Sequence, residues 1–82
     1  MAHEDFFEAR LIEFTCWRDG KEITLKKYKK FEELPDQLMA EITNGKSIIL
    51  FKGKRWEIVE INKDLRAHGK GLHIKVRIEK CN

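Results

Sequence analysis

The sequence predicts an α+β fold in the order ββαβββ: a small, mostly antiparallel sheet of about five strands with one helix, lying flat or curled toward an SH3-like or OB-like half-barrel. Three observations carry this expectation. Runs of β-branched and aromatic residues recur along the chain, Asp19-Gly20 and Lys52-Gly53 mark tight hairpin turns, and one stretch alone, Leu34 to Ile42, repeats apolar residues at helical spacing.

Lys46 to Asn62, KSIILFKGKRWEIVEIN, is the stretch that concentrates most apolar area. Ile48, Ile49, Leu50 and Phe51 form the longest unbroken apolar run, and Trp56, Ile58, Val59 and Ile61 follow the Lys52-Gly53 turn. This predicts a core hairpin on which the other segments pack, with Trp56 buried. In its second strand the apolar residues fall on both parities, which calls for a strand covered on both faces or a bulge.

The remaining elements follow from local pattern. Phe6 to Arg18 reads as strand 1, with Phe7, Ala9 and Leu11 on one parity and Ile12, Phe14 and Cys16 on the other, so a bulge near Leu11–Ile12 is needed to turn both sets inward. Trp17 then falls off the core parity. Asp19-Gly20 suits a type I′ turn, whose central residues need positive φ. Strand 2 begins at Glu22 and runs into KKYKKF, where Lys26, Lys27, Lys29 and Lys30 flank Tyr28; lysines this dense suit an edge strand or a fully solvated face, where they also discourage edge-to-edge pairing.

Pro35 suits the first position of a helix, Leu34, Leu38 and Ile42 line its apolar stripe beside Met39, and Asn44-Gly45 offers a left-handed stop. Asn62 to Gly71 reads as one long loop, polar and glycine-containing. The last strand alternates cleanly, with Leu72, Ile74, Val76 and Ile78 inward and His73, Lys75, Arg77 and Glu79 outward.

Composition bounds the function classes. Eighty-two residues make a single domain, 1–82, with one core. The net charge of +3 is sorted along the chain: residues 1–20 carry −3, 21–30 carry +4, 31–45 carry −4 and 46–82 carry +6. The opening MAHEDFFEARL has no basic n-region or apolar h-region, and no apolar run approaches the roughly 20 residues of a membrane span, so a cytoplasmic address is expected. Cys16 and Cys81 are read as reduced thiols. With no CxxC and no histidine spaced to complete a site, no metal or other cofactor is expected.

No catalytic motif is present: GxSxG, GxxxxGKS and HExxH are absent, and Gly69-Lys70-Gly71 is too short for a phosphate cradle. The expectation is a non-enzymatic binding module with a basic surface. Lys26, Lys27, Tyr28, Lys29 and Lys30, with Lys75 and Arg77, are the candidate contacts, because cations on a β-surface beside an exposed aromatic suit phosphate tracking and base stacking. Arg66, His68 and Lys70 join them from the long loop. The partner expected is nucleic acid or an acidic protein. A protein-interaction or inhibitor module is the alternative, suggested by the acidic face Glu33, Asp36, Gln37 and Glu41 and by Trp17. A lesser one is a small RNase-like toxin using His68 or His73 as base and Arg66 or Arg77 on phosphate.

Overall fold

The computed structural model describes residues 4–66 and 71–81, with side chains over 6–65 and 71–81. A 3-10 turn over Glu4–Glu8 leads into β1 (Ala9–Arg18), which returns as β2 (Lys21–Tyr28). A second 3-10 turn, Phe31–Glu33, precedes the helix α1 (Asp36–Thr43), and β3 (Ile48–Phe51), β4 (Lys54–Arg66) and β5 (Gly71–Lys80) follow. The strands lie side by side as β2-β1-β5-β4-β3. β1 and β5 run parallel at the centre, and the other neighbouring pairs are antiparallel.

The described residues form a curled, five-stranded mixed half-barrel with a single α-helix. The curl is measurable in one contact: Phe14 of β1 and Phe51 of β3 stack at 5.0 Å. Three strand intervals separate them in the sheet order, and a flat sheet would hold them about 14 Å apart. Register irregularities between Ala9 and Leu11, Phe14 and Thr15, and Ile58 and Glu60 supply the bending. The first lies close to the bulge expected near Leu11–Ile12, and the last resolves the two-parity pattern of β4.

One face of the sheet carries the core. Ile12, Phe14 and Cys16 of β1 meet Ile74, Val76 and Ile78 of β5, and Leu34, Leu38 and Ile42 close over them with Phe6, Phe31, Ile49 and Phe51. Trp56 is 9% exposed, as expected, and its indole Nε1 donates to the Phe51 carbonyl at 2.9 Å, so its buried N–H is satisfied. The opposite, open face carries Glu13, Thr15 and Trp17 of β1, Thr24 and Lys27 of β2, and His73, Lys75 and Arg77 of β5, positions that alternate with the core residues.

The turns follow the residue chemistry. Asp19 and Gly20 have φ of 53° and 76°, and Lys52 and Gly53 have 53° and 77°, so both hairpins use the positive-φ pair of a type I′ turn. Helix α1 ends in a Schellman arrangement: Gly45 N–H bonds the Ile42 carbonyl at 3.0 Å and Lys46 N–H bonds that of Glu41 at 2.9 Å.

Four expectations need correction. Strand 1 begins at Ala9, because the preceding residues coil as a 3-10 turn that buries Phe6 and leaves Phe7 half exposed against Phe31. The IILF run is no organising centre: β3 is a four-residue edge strand, so Ile48 and Leu50 are exposed while Ile49 and Phe51 are buried. Pro35 occupies the N-cap position and α1 starts at Asp36. Asn62 to Gly71 is not a ten-residue loop, since β4 extends through Arg66 and pairs Asn62 with Lys75 through Arg66 with Gly71. Ladder hydrogen bonds hold those residues without an apolar pattern. Of the contacts expected from that loop, Arg66 ends β4, and His68 and Lys70 fall within 67–70, outside the described residues.

Candidate functional site

The lysine-rich segment sits on the outer edge of the sheet. Lys26 and Lys27 lie on β2, and Lys29 and Lys30 follow its end; all four are exposed. Lys26 Nζ is 5.8 Å from the centre of the Tyr28 ring. The aromatic is not the free stacking platform expected. Tyr28 is half buried, lies edge-on to Phe14 at 6.0 Å, and packs against the core, where burial pushes its phenol above the usual range. Lys29 and Lys30 instead line a shallow depression with Phe7, Arg10, Glu32 and Glu33, and the Glu33 carboxylate accepts from Lys29 N–H at 2.8 Å.

Lys75 and Arg77 occupy the open face, where Lys27 lies across β1 from Lys75, both opposite Glu13. Lys75 Nζ is 3.1 Å from Glu22 Oε1, and that carboxylate holds the ammonium above the ordinary lysine range. Arg77 is 3.8 Å from Glu60 and its guanidinium lies 5.6 Å from the Trp17 ring centre. Lys26 pairs with the inward residue Phe14 and so does not share this face. For Arg66 the strand pairing alone is described, and His68 and Lys70 lie outside the described residues.

Sequence reasoning missed the group at the centre of the open face. Glu13 is 8% exposed, accepts a hydrogen bond from the Thr24 hydroxyl, and lies 3.2 Å from His73 Nε2. Burial pushes its carboxyl up, but the bonds from Thr24 and His73, with Lys27 and Lys75 nearby, outweigh that and hold it below the ordinary glutamate range. Thr15, fully buried beside it, contacts Glu22 at 3.4 Å. The available signal was a carboxylate between Ile12 and Phe14 on a strand that must be central to bury both.

The strand edges are guarded by side chains. Leu50 N–H on the β3 edge donates to Glu41 of α1 at 2.9 Å, and Lys52 Nζ donates to the Leu25 carbonyl on the β2 edge at 3.2 Å. Each occupies a backbone group that another chain would use for pairing.

Among the described residues, no group of three or more histidine, cysteine or acidic side chains is arranged to hold a metal ion, and no helix is long and apolar enough to cross a membrane. Cys16 and Cys81 are free thiols. Comparison with known protein families, curated proteins and solved structures finds no match.

Proposed function

We propose that the protein is a small non-enzymatic binding module that takes up nucleic acid through a basic surface. The observation that carries this reading is the state of the edge lysines: Lys26, Lys27, Lys29 and Lys30 are all exposed, and none forms an ion pair with another described residue. Lys75 and Arg77, by contrast, are matched by Glu22 and Glu60. A cation without a carboxylate partner meets a phosphate at no cost in broken ion pairs, and the phosphate's released counterion drives binding.

The test is fluorescence anisotropy of a labelled oligothymidylate across a salt series. Affinity is expected to fall as salt rises, and replacing the four lysines by Gln is expected to weaken it without moving the melting temperature, because exposed charges contribute little to stability. Absence of binding at low salt overturns the reading.

A second reading, a protein-interaction module, is favoured by the apolar groups left outside: Trp17 at 51%, Leu50 at 43% and Ile48 at 42% exposed. Binding through those side chains would persist at high salt, where phosphate contacts are lost.

A further inference from the structure

Four adjacent strands each finish their core-facing row with a cation at the same end of the sheet. On β1 the inward Cys16 is followed two residues later by Arg18, and on β5 Ile78 is followed by Lys80. On β2 Lys21 precedes the inward Ile23, and on β4 Lys54 precedes Trp56. Since side chains alternate along a strand, these four cations continue the core face past the last apolar layer. All four are exposed.

Register aligns them. Arg18 pairs with Lys21, and Lys80 pairs with Trp56, diagonal to Lys54. The backbone follows suit, with Cys81 N–H bonded to the Arg55 carbonyl at 2.9 Å. Continuing the β1·β5 register from Thr15 and Arg77 sets Arg18 against Lys80. Because β2, β1, β5 and β4 are consecutive, Lys21, Arg18, Lys80 and Lys54 make one row, about 14 Å long at ordinary strand spacing.

No carboxylate among the described residues forms an ion pair with any of the four. Of the acids near the β1–β2 turn, Glu22 is engaged by Lys75 on the opposite face. The crowding is felt: Lys54 beside it holds the Lys80 ammonium below the ordinary lysine range, and Arg18 adds to the effect. Like charges set side by side on a rigid sheet disfavour one another, and an anion laid between them reverses the sign of that interaction.

We propose that the row Lys21–Arg18–Lys80–Lys54 is a phosphodiester track, holding successive phosphates of a nucleic-acid backbone laid across the strand ends. This rests on the nucleic-acid reading above and gives that reading a location. A row with one cation on each of four neighbouring strands suits a polymer that carries one charge on every unit, and the planar fork of Arg18 matches two oxygens of one phosphate.

The experiment compares three proteins against labelled oligothymidylate over a salt series: wild type, a row variant (R18Q/K21Q/K54Q/K80Q) and an edge variant (K26Q/K27Q/K29Q/K30Q). The row variant is expected to lose at least about tenfold in affinity at low salt and to flatten the dependence of log K on log salt by roughly 3, at ~0.7 for each of the four cations removed. Should its melting curve show that it does not fold, the single variants K54Q and K80Q decide, each flattening the slope by about 0.7. A folded row variant with wild-type affinity and slope, while the edge variant is impaired, overturns the track and leaves the nucleic-acid reading standing. A wild type that does not bind overturns both. Displacement by oligoglutamate as readily as by unlabelled oligothymidylate overturns the phosphodiester assignment.

Discussion

Glu13 and His73, sixty residues apart in the chain, meet on the open face with His73 Nε2 3.2 Å from the Glu13 carboxylate. Parallel pairing of β1 with β5 brings them together, and Thr24 on β2 completes the contact from the other side.

Glu13 is held below the ordinary glutamate range in the folded chain, so its contribution to stability is complete above the unfolded-state value and is lost as pH falls through the folded one. Wild type is therefore expected to lose stability as pH drops below the ordinary glutamate range. Glu13→Gln should flatten that part of the curve and cost about 1–3 kcal/mol at neutral pH, as for hydrogen bonds to a charged group. Urea midpoints measured against pH check both statements.

Trp56 anchors the β3–β4 hairpin to the core through its ring, 6.3 Å from Phe51, and through its bond to the Phe51 carbonyl. Trp56→Ala should cost about 3–5 kcal/mol. Trp56→Phe, which keeps apolar contact but leaves that carbonyl without its donor, should cost less, about 1–3 kcal/mol. An unchanged melting temperature for Trp56→Ala would contradict the buried role.

Gly71 opens β5 with φ of 87°, and a Cβ there would overlap Arg10 Cγ and lie 3.0 Å from Arg10 Cβ. Gly20, at φ of 76°, has nothing within 4 Å of such a Cβ. Gly20→Ala should thus carry only the left-handed penalty of roughly 1–2 kcal/mol, and Gly71→Ala more. Adding Arg10→Ala is expected to restore Gly71→Ala toward the Gly20→Ala value, measured by chemical denaturation. Equal costs for the two glycines would show that Arg10 yields freely.

Glu41 covers Leu50 N–H on an edge strand that also exposes Ile48 and Leu50. Glu41→Ala is expected to cost only about 0.5–1.5 kcal/mol, yet to promote self-association by leaving a bare donor on an apolar edge. Light scattering at raised concentration reads the second effect, and a variant that stays as dispersed as wild type would contradict it.

What the sequence determined by itself is what depends on neighbours in the chain. Asp19-Gly20 and Lys52-Gly53 specify their turns because few residue pairs tolerate two successive positive φ values. Leu34, Leu38 and Ile42 specify a helical stripe, and the strict alternation of β5 specifies which side of each residue is buried. The dense lysines of β2 suit an edge or a solvated face, and the strand order places them on an edge.

Tertiary structure alone decided which strands are neighbours, since a strand's own period does not name its partner. Nothing local sets β1 parallel to β5, or demotes the apolar IILF run to an edge of which alternate residues face out. Asn62 to Arg66 look like a loop because their side chains are mostly polar, and they form a strand because pairing with β5 satisfies the backbone whatever the side chains are. The same rule governs the surface: Arg18, Lys21, Lys54 and Lys80 each stand two residues from a core position in sequence, and only the register between strands sets them in a row.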